Sequence, residues 1–183
     1  MNANAWNIFM FKNFLKGYNI EWDDIREKIK DIIIKSIISV YKNMTDEIEV
    51  NNLSDQNFFE ILGYDILITD KFIPKLLEIN KNPDMKIYAD LDKPIKTDLF
   101  LDTLNLIGII PYSRKTKKIL NNQIKFRKKV DDNIHNALCE LERPRGDYEL
   151  IFPTTKTIYK YKKYFLNNSR ENEIFWNKII YND

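Results

Sequence analysis

FFEILGYDILITDKFIPKLLEINKNP, residues Phe58 to Pro83, decides how this chain is read. It predicts two β-strands joined by a short turn, with aliphatic residues along most of both strands. Acidic and amide side chains interrupt the pattern: Asp65 in the first strand, and Glu78 and Asn80 near the end of the second. A turn of even length around Asp70-Lys71 would set Thr69 opposite Phe72 and Asp65 opposite Leu76. Glu78 then becomes the diagonal neighbour of Asp65 on one face, about 7–8 Å away between backbones. Asn80, two residues on, points the same way. Gly63 falls opposite Glu78, where a missing side chain leaves room for a ligand. The other face holds Leu62, Tyr64, Ile66, Ile68, Ile73, Leu77 and Ile79 and is expected to be the core face. A turn of odd length would put Asp65 and Glu78 on opposite faces.

Two carboxylates and an amide oxygen form a hard, oxygen-only donor set. Such a set suits Mg²⁺, which takes one or two carboxylates and completes its shell with phosphate oxygens and water. From spacing alone the other reading, a hairpin whose few polar side chains are solvated, stays open.

Several ordered segments resemble the tubulin tyrosine ligase-like family of ATP-grasp amino-acid ligases. Phe59-Glu60-x-x-Gly63-Tyr64-Asp65, the acidic turn at Asp70, and Leu77-Glu78-x-Asn80-x-x-Pro83 are similar to its signature hairpin. Tyr64 stands where the family has Phe, and Asp84 where it often has Ser, which adds negative charge. Downstream, Asp90-Leu91-Asp92-x-x-Ile95-Lys96 and Asp102-Thr103-Leu104-Asn105-Leu106-Ile107-Gly108-Ile109 resemble its next segments. Glu142-Arg143-x-Arg145-Gly146-Asp147-Tyr148-Glu149-Leu150-Ile151-Phe152-Pro153 resembles an Arg-rich one, with Pro144 between the usually paired arginines. Trp6 and the helix expected from Asp23 to Tyr41 are similar to the segment before the hairpin. The resemblance is interrupted near residues 43–56 and 111–138.

The resemblance implies an α+β fold, with residues 1–183 forming the C-terminal part of an ATP-grasp domain: an antiparallel hairpin packed with several helices. It covers only that part, and the family's elements for adenine and for the ATP phosphates lie N-terminal to it. The reaction implied is ATP-dependent activation of a carboxylate as an acyl phosphate, then attack by an amino acid's amine. Glutamate is the amino acid implied first, because the Asp90–Lys96 and Asp102–Ile109 segments are most like the polyglutamylase branch. Asp65, Glu78 and Asn80 would hold Mg²⁺ against ATP. Lys96 and Arg145 would contact phosphate or an acidic substrate, and Arg suits bidentate carboxylate recognition. The partners implied are tubulin or microtubules, and the location the cytoplasm and cytoskeleton. A catalytically inactive fragment, or a tubulin-binding module, is the competing expectation.

Composition fits a globular piece of that kind. The chain has 183 residues, 44% hydrophobic and 31% charged, with a net charge of +2. That length forms one domain with a sizeable core. No apolar run reaches the ~20 residues that cross a bilayer, and MNANAWNIFMFKNFLKG lacks the plan of a signal peptide. Cys139 is the only cysteine, which excludes an intrachain disulfide and a thiolate zinc site. The four glycines, Gly17, Gly63, Gly108 and Gly146, are far apart, so no P-loop or Rossmann turn can be written. The single histidine, His135, has no nucleophile motif around it.

Between these motifs the chain is expected to be mostly helical. Asp24 and Glu27 read as an acidic capping box opening a helix at Ile25. Ile25, Ile29, Ile32, Ile33, Ile37, Val40 and Tyr41 repeat at helical spacing, and the polar residues 43–56 read as a loop. Further helices are expected over 95–107, ending at Gly108, and over 118–142, 159–166 and 175–180. Arg114, Lys115, Lys117, Lys118, Lys125, Arg127, Lys128 and Lys129 form a basic run. A solvated face fits it better than an acidic partner or a nucleic-acid surface, because the net charge is only +2 and clustered lysines on loops are common; poor aromatic interleaving counts further against nucleic acid.

Overall fold

A computed structural model describes residues 6–51, 58–88, 90, 92–109, 131–165 and 170–182. Among them are six α-helices and one two-stranded antiparallel sheet, a mixed α+β chain as expected. The contacts divide it into two compact units: Met1–Glu47 with Glu60–Pro83, and Ile48–Phe59 with Asp84–Asp183. The basic run at 114–129 and the expected helix over 118–130 lie outside the described residues, as does the His135 side chain.

The first unit begins with helix α1 (Ile8–Lys16), whose N-cap Asn7 accepts a hydrogen bond from the Met10 backbone N–H at 2.8 Å. Asn19 closes it in the left-handed region (φ 57°), and the Ile20 N–H returns to the Leu15 carbonyl at 3.1 Å. Asn tolerates that conformation better than most residues. Helix α2 (Trp22–Val50) follows. It starts three residues before the expected Ile25, so Asp23 and Asp24 occupy its first turn and meet the positive end of the helix dipole there. It also continues through residues 43–50, where a loop was expected. That stretch holds no Gly or Pro to break the ladder, and one Asn is a weak stop. Leu15, Ile25 and Ile34 are the buried centre of this unit.

Strands β1 (Gly63–Ile68) and β2 (Pro74–Asn80) form the hairpin. Its turn corrects the sequence expectation. The Phe72 N–H bonds the Thr69 carbonyl at 2.9 Å and the Thr69 N–H bonds the Ile73 carbonyl at 3.1 Å, so Thr69 faces Ile73 across a three-residue loop. Phe72 takes the left-handed position that such loops require (φ 56°), and its ring packs on Tyr18 at 5.3 Å. The register then runs Ile68–Pro74, Leu67–Lys75 and Ile66–Leu76, and shifts before Asp65–Glu78, Tyr64–Ile79 and Gly63–Asn80. Strand β2 thus carries one extra residue, Leu77, as a bulge.

The expected core face is only partly one. Tyr64, Ile66 and Ile68 are half-buried, and the Tyr64 hydroxyl lies 2.7 Å from Ser36 Oγ on α2. Ile73, Leu77 and Ile79 are exposed instead. Strand β1 takes the place against α2, and β2 has no strand beyond it among the described residues.

The second unit contains α3 (Asp92–Leu106), α4 (Asp131–Leu141), α5 (Thr155–Tyr161) with a 3₁₀ turn Lys162–Tyr164, and α6 (Arg170–Asn182). Helix α3 ends as expected at Gly108 (φ 75°), with the Ile109 N–H bonded to the Leu104 carbonyl at 3.0 Å. Thr154 and Thr157 form the reciprocal capping box of α5. That box sets its start at Thr155, four residues before the expected one. Ile158, Trp176 and Ile179 form the core cluster. Phe165 meets Trp176 edge-on at 5.2 Å and stacks on Phe152 at 5.5 Å.

Candidate functional site

The bulge brings the acidic side chains together. A three-residue turn alone would leave Asp65 opposite Leu77, with Glu78 on the reverse face. The extra residue advances β2 by one, so Asp65 pairs directly with Glu78 and Gly63 with Asn80. Directly paired residues share a face and sit closer than diagonal ones. The expected grouping of Asp65, Glu78 and Asn80 therefore stands, while the expected partners (Leu76 for Asp65, Glu78 for Gly63) do not.

Asn80 Nδ2 donates to Glu78 Oε1 at 3.0 Å. That bond uses the amide nitrogen and leaves the amide oxygen as the outward acceptor, so the trio presents oxygen atoms only. All three side chains are exposed. Among the described residues no three His, Cys, Asp or Glu side chains gather as a metal cluster. A two-carboxylate, one-amide set falls below that count, yet matches what Mg²⁺ asks of protein ligands. Beside it, a Cβ on Gly63 would lie 3.1 Å from Pro83 Cβ and 3.6 Å from Asn80 Cβ. The glycine lets the end of β2 and Pro83 close over β1.

Lys96 and Arg145 belong to the second unit, and each is engaged locally. Lys96, on α3, donates to the Lys86 carbonyl, lies 4.0 Å from the Asp92 carboxylate and sits 5.6 Å from the Tyr88 ring centroid. Arg145 donates to the Leu141 carbonyl at the end of α4. It lines a cleft of about 610 Å³ with Phe58, Leu106, Tyr148 and Phe175.

Sequence reasoning did not find a third arrangement, around Asp84. Its carboxylate accepts from the Tyr88 hydroxyl at 2.7 Å and the Lys86 backbone N–H at 2.8 Å. The Tyr88 bond first, then the Lys86 bond, hold its pKa below the ordinary 3.8 against the opposing effect of burial, with the Lys96 charge adding least. The same bond raises Tyr88 above 10.0. The residue spacing carries no signal for this pairing beyond the separation of four.

The two downstream motif segments pack on each other. Asp102 Oδ2 accepts from the Asp147 N–H at 2.9 Å. Thr103 Oγ1 lies 2.8 Å from the Tyr148 hydroxyl, and Arg143 Nη1 donates to the Leu106 carbonyl at 2.7 Å. Gly108 and Gly146 both take positive φ, and a Cβ on either would collide with its partner, the Arg143 guanidinium or the Asp102 carboxylate. Each segment had been singled out in the sequence, but not their contact.

A family model described as the tubulin-tyrosine ligase family matches residues 1–119. The tubulin polyglutamylase TTLL6 of Homo sapiens is 27% identical over 187 residues, covering 92% of this chain and 20% of that protein. The tubulin monoglutamylase TTLL4 of Homo sapiens is 31% identical over 180 residues, covering 97% of this chain and 14% of that protein. The tubulin polyglutamylase ttll-4 of Caenorhabditis elegans is 27% identical over 198 residues, covering 87% of this chain and 32% of that protein. The chain thus spans between 14% and 32% of the length of these relatives. No helix among the described residues is long and apolar enough to cross a membrane.

Proposed function

Because the chain belongs to the tubulin-tyrosine ligase family, we propose that it supplies the metal-binding hairpin of an ATP-dependent ligase that adds glutamate to tubulin. The observation that carries this reading is the direct pairing of Asp65 with Glu78, with Asn80 bonded to Glu78 on the same strand. The pairing depends on a bulge, and bulges recur where a strand re-aims a side chain at a functional site.

In this proposal Asp65 and Glu78 contribute carboxylate oxygens and Asn80 its amide oxygen. A Mg²⁺ held by these three residues would supply positive charge beside the ATP phosphates and offset the charge that develops on transfer. Asn80 holds Glu78 in one orientation through its N–H, so less ordering is needed when the site fills. None of the three acts as a nucleophile. Lys96 and Arg145 contribute positive charge to phosphate or to an acidic substrate, which requires each to exchange the backbone carbonyl it now holds. Similarity to proteins named polyglutamylase and monoglutamylase supports glutamate as the amino acid and tubulin as the acceptor, and with them a place on the cytoskeleton.

Calorimetry of ATP binding, with and without Mg²⁺, tests the assignment. Expected is Mg²⁺-dependent binding weakened at least about tenfold by Glu78→Gln, which removes one charged metal ligand and keeps the shape. Equal binding by the Glu78→Gln variant would overturn the metal assignment. No binding to the unaltered chain would favour the inactive, tubulin-binding alternative.

A further inference from the structure

The hairpin carries one cation that the proposed function leaves unused. Strands β1 and β2 hold a single basic residue between them, Lys75. It pairs with Leu67, which lies two positions beyond Asp65 on β1. Alternate residues of a strand share a face, and the burial of β1 follows that alternation: Asp65 and Leu67 are exposed, while Tyr64, Ile66 and Ile68 are half-buried. Lys75 therefore stands on the face of Asp65, Glu78 and Asn80, one same-face step along the ladder, about 7 Å from the Asp65–Glu78 pair at the backbone. Lys75 and Glu78 are three positions apart, a separation that puts side chains on opposite faces of a regular strand. The bulge at Leu77 sets both on one face.

Among the described residues no group engages the Lys75 ammonium. Its directly paired neighbour, Leu67, is aliphatic. The Glu78 carboxylate is bonded by Asn80 and forms no ion pair with it. Lys96 and Arg145, by contrast, each hold a backbone carbonyl. Lys75 is thus an exposed, unengaged ammonium on the face where two carboxylates and an amide oxygen gather. A polyphosphate carries more negative charge than one Mg²⁺ offsets, so a second cation strengthens its binding. Lysine suits that task as a compact point charge on a flexible stem.

We infer that Lys75 is a phosphate-binding residue of the hairpin site, contacting oxygens of a metal-bound polyphosphate. The inference rests on the proposed metal site and adds to it a substrate contact on the hairpin itself. Two effects of opposite sign follow from one charge. Lys75 repels a bare cation at the trio and attracts the polyphosphate that accompanies it. Edge strands also use lysine to discourage pairing with other chains; a lysine serving that end alone changes neither affinity when it is replaced.

Calorimetry on the full chain reads both effects, with Mg²⁺ alone and with preformed Mg²⁺–tripolyphosphate as the probes. Inorganic tripolyphosphate has no base or sugar, so the readout does not depend on an adenine contact. Lys75→Gln is expected to weaken binding of Mg²⁺–tripolyphosphate about five- to tenfold and to tighten binding of Mg²⁺ alone about twofold, both effects shrinking as salt rises. Lys75→Arg, which keeps the charge, is expected to match the unaltered chain within about twofold on both probes. Lys71→Gln, which removes the same charge from the turn, is expected to change neither. A fall in both affinities in Lys75→Gln, or no change in either, would overturn the inference. So would an equal response in Lys71→Gln, which would reduce the effect to general charge. Mg²⁺ binding that is lost in Glu78→Gln, with no tripolyphosphate affinity that depends on Lys75, would leave the metal site standing and remove Lys75 from it. Failure of the unaltered chain to bind Mg²⁺ at all would overturn the metal site and the inference together.

Discussion

Replacing Gly146 by alanine is expected to destabilise the second unit through one identifiable collision. Gly146 has φ 54°, and a Cβ there would fall 2.0 Å from Cγ and both oxygens of Asp102. Two costs follow. Holding alanine in the left-handed region costs about 1–2 kcal/mol. Asp102 must also turn away, which breaks the 2.9 Å bond it accepts from the Asp147 N–H. A hydrogen bond to a charged group contributes about 1.5–3 kcal/mol, and the low end applies because Asp147 is exposed. The expected total is about 2.5–3.5 kcal/mol, a fall in Tm of about 5–14 °C for a chain of this length. Differential scanning calorimetry measures it directly. Asp102→Ala provides the control: with the carboxylate removed, Gly146→Ala should cost only the backbone share, so the two substitutions couple by about 1–2 kcal/mol in a double-mutant cycle. If Gly146→Ala costs the same in both backgrounds, or less than about 0.5 kcal/mol alone, the clasp between these segments does not hold the unit together.

Two further outcomes are expected. Tyr64→Phe, which deletes the 2.7 Å contact with Ser36 while keeping the ring, should cost about 0.5–1.5 kcal/mol in urea unfolding; a cost within error of zero would mean that bond does not tie the hairpin to α2. The Asp84–Tyr88 bond should make stability pH-dependent at both ends: its contribution is present above the ordinary Asp value of 3.8 and below the ordinary Tyr value of 10.0, and is lost as pH falls through the lowered Asp84 pKa or rises through the raised Tyr88 pKa. Carboxyl titration by NMR should show Asp84 moving up toward 3.8 in Tyr88→Phe; an unmoved Asp84 would rule out Tyr88 as the main cause of its shift.

The hairpin was legible in the sequence because alternation, Gly63 and Pro83 are short-range signals. So was the grouping of its oxygen donors, though by a route the structure corrects. Asp70-Lys71 does not specify a turn length, and nothing marks Phe72 in advance as a left-handed residue. The bulge at Leu77 was equally silent, because a bulge is set by the competition between turn geometry and the packing of both faces. The extension of α2 over residues 43–50 was missed because polarity was read as loop, although no strong breaker occurs there. The contacts of Asp102 with the Asp147 N–H and of Thr103 with Tyr148 span 45 positions. Local pattern cannot show pairings at that separation. The capped ends at Gly108 and Thr154 lie within one turn of their signals, which is why the first was foreseen and the second could have been.

The odd turn and the bulged Leu77 act as two parity errors that cancel. Either alone would rotate Glu78 and Asn80 away from Asp65; together they restore the phase. Insertions and deletions in this hairpin are therefore not independent events. A residue lost from the Asp70–Phe72 loop survives only with a matching change in β2, so turn length and strand length must drift as a pair. Homologous hairpins aligned with a single gap here would be out of phase, with the apolar face matched against the oxygen-bearing one.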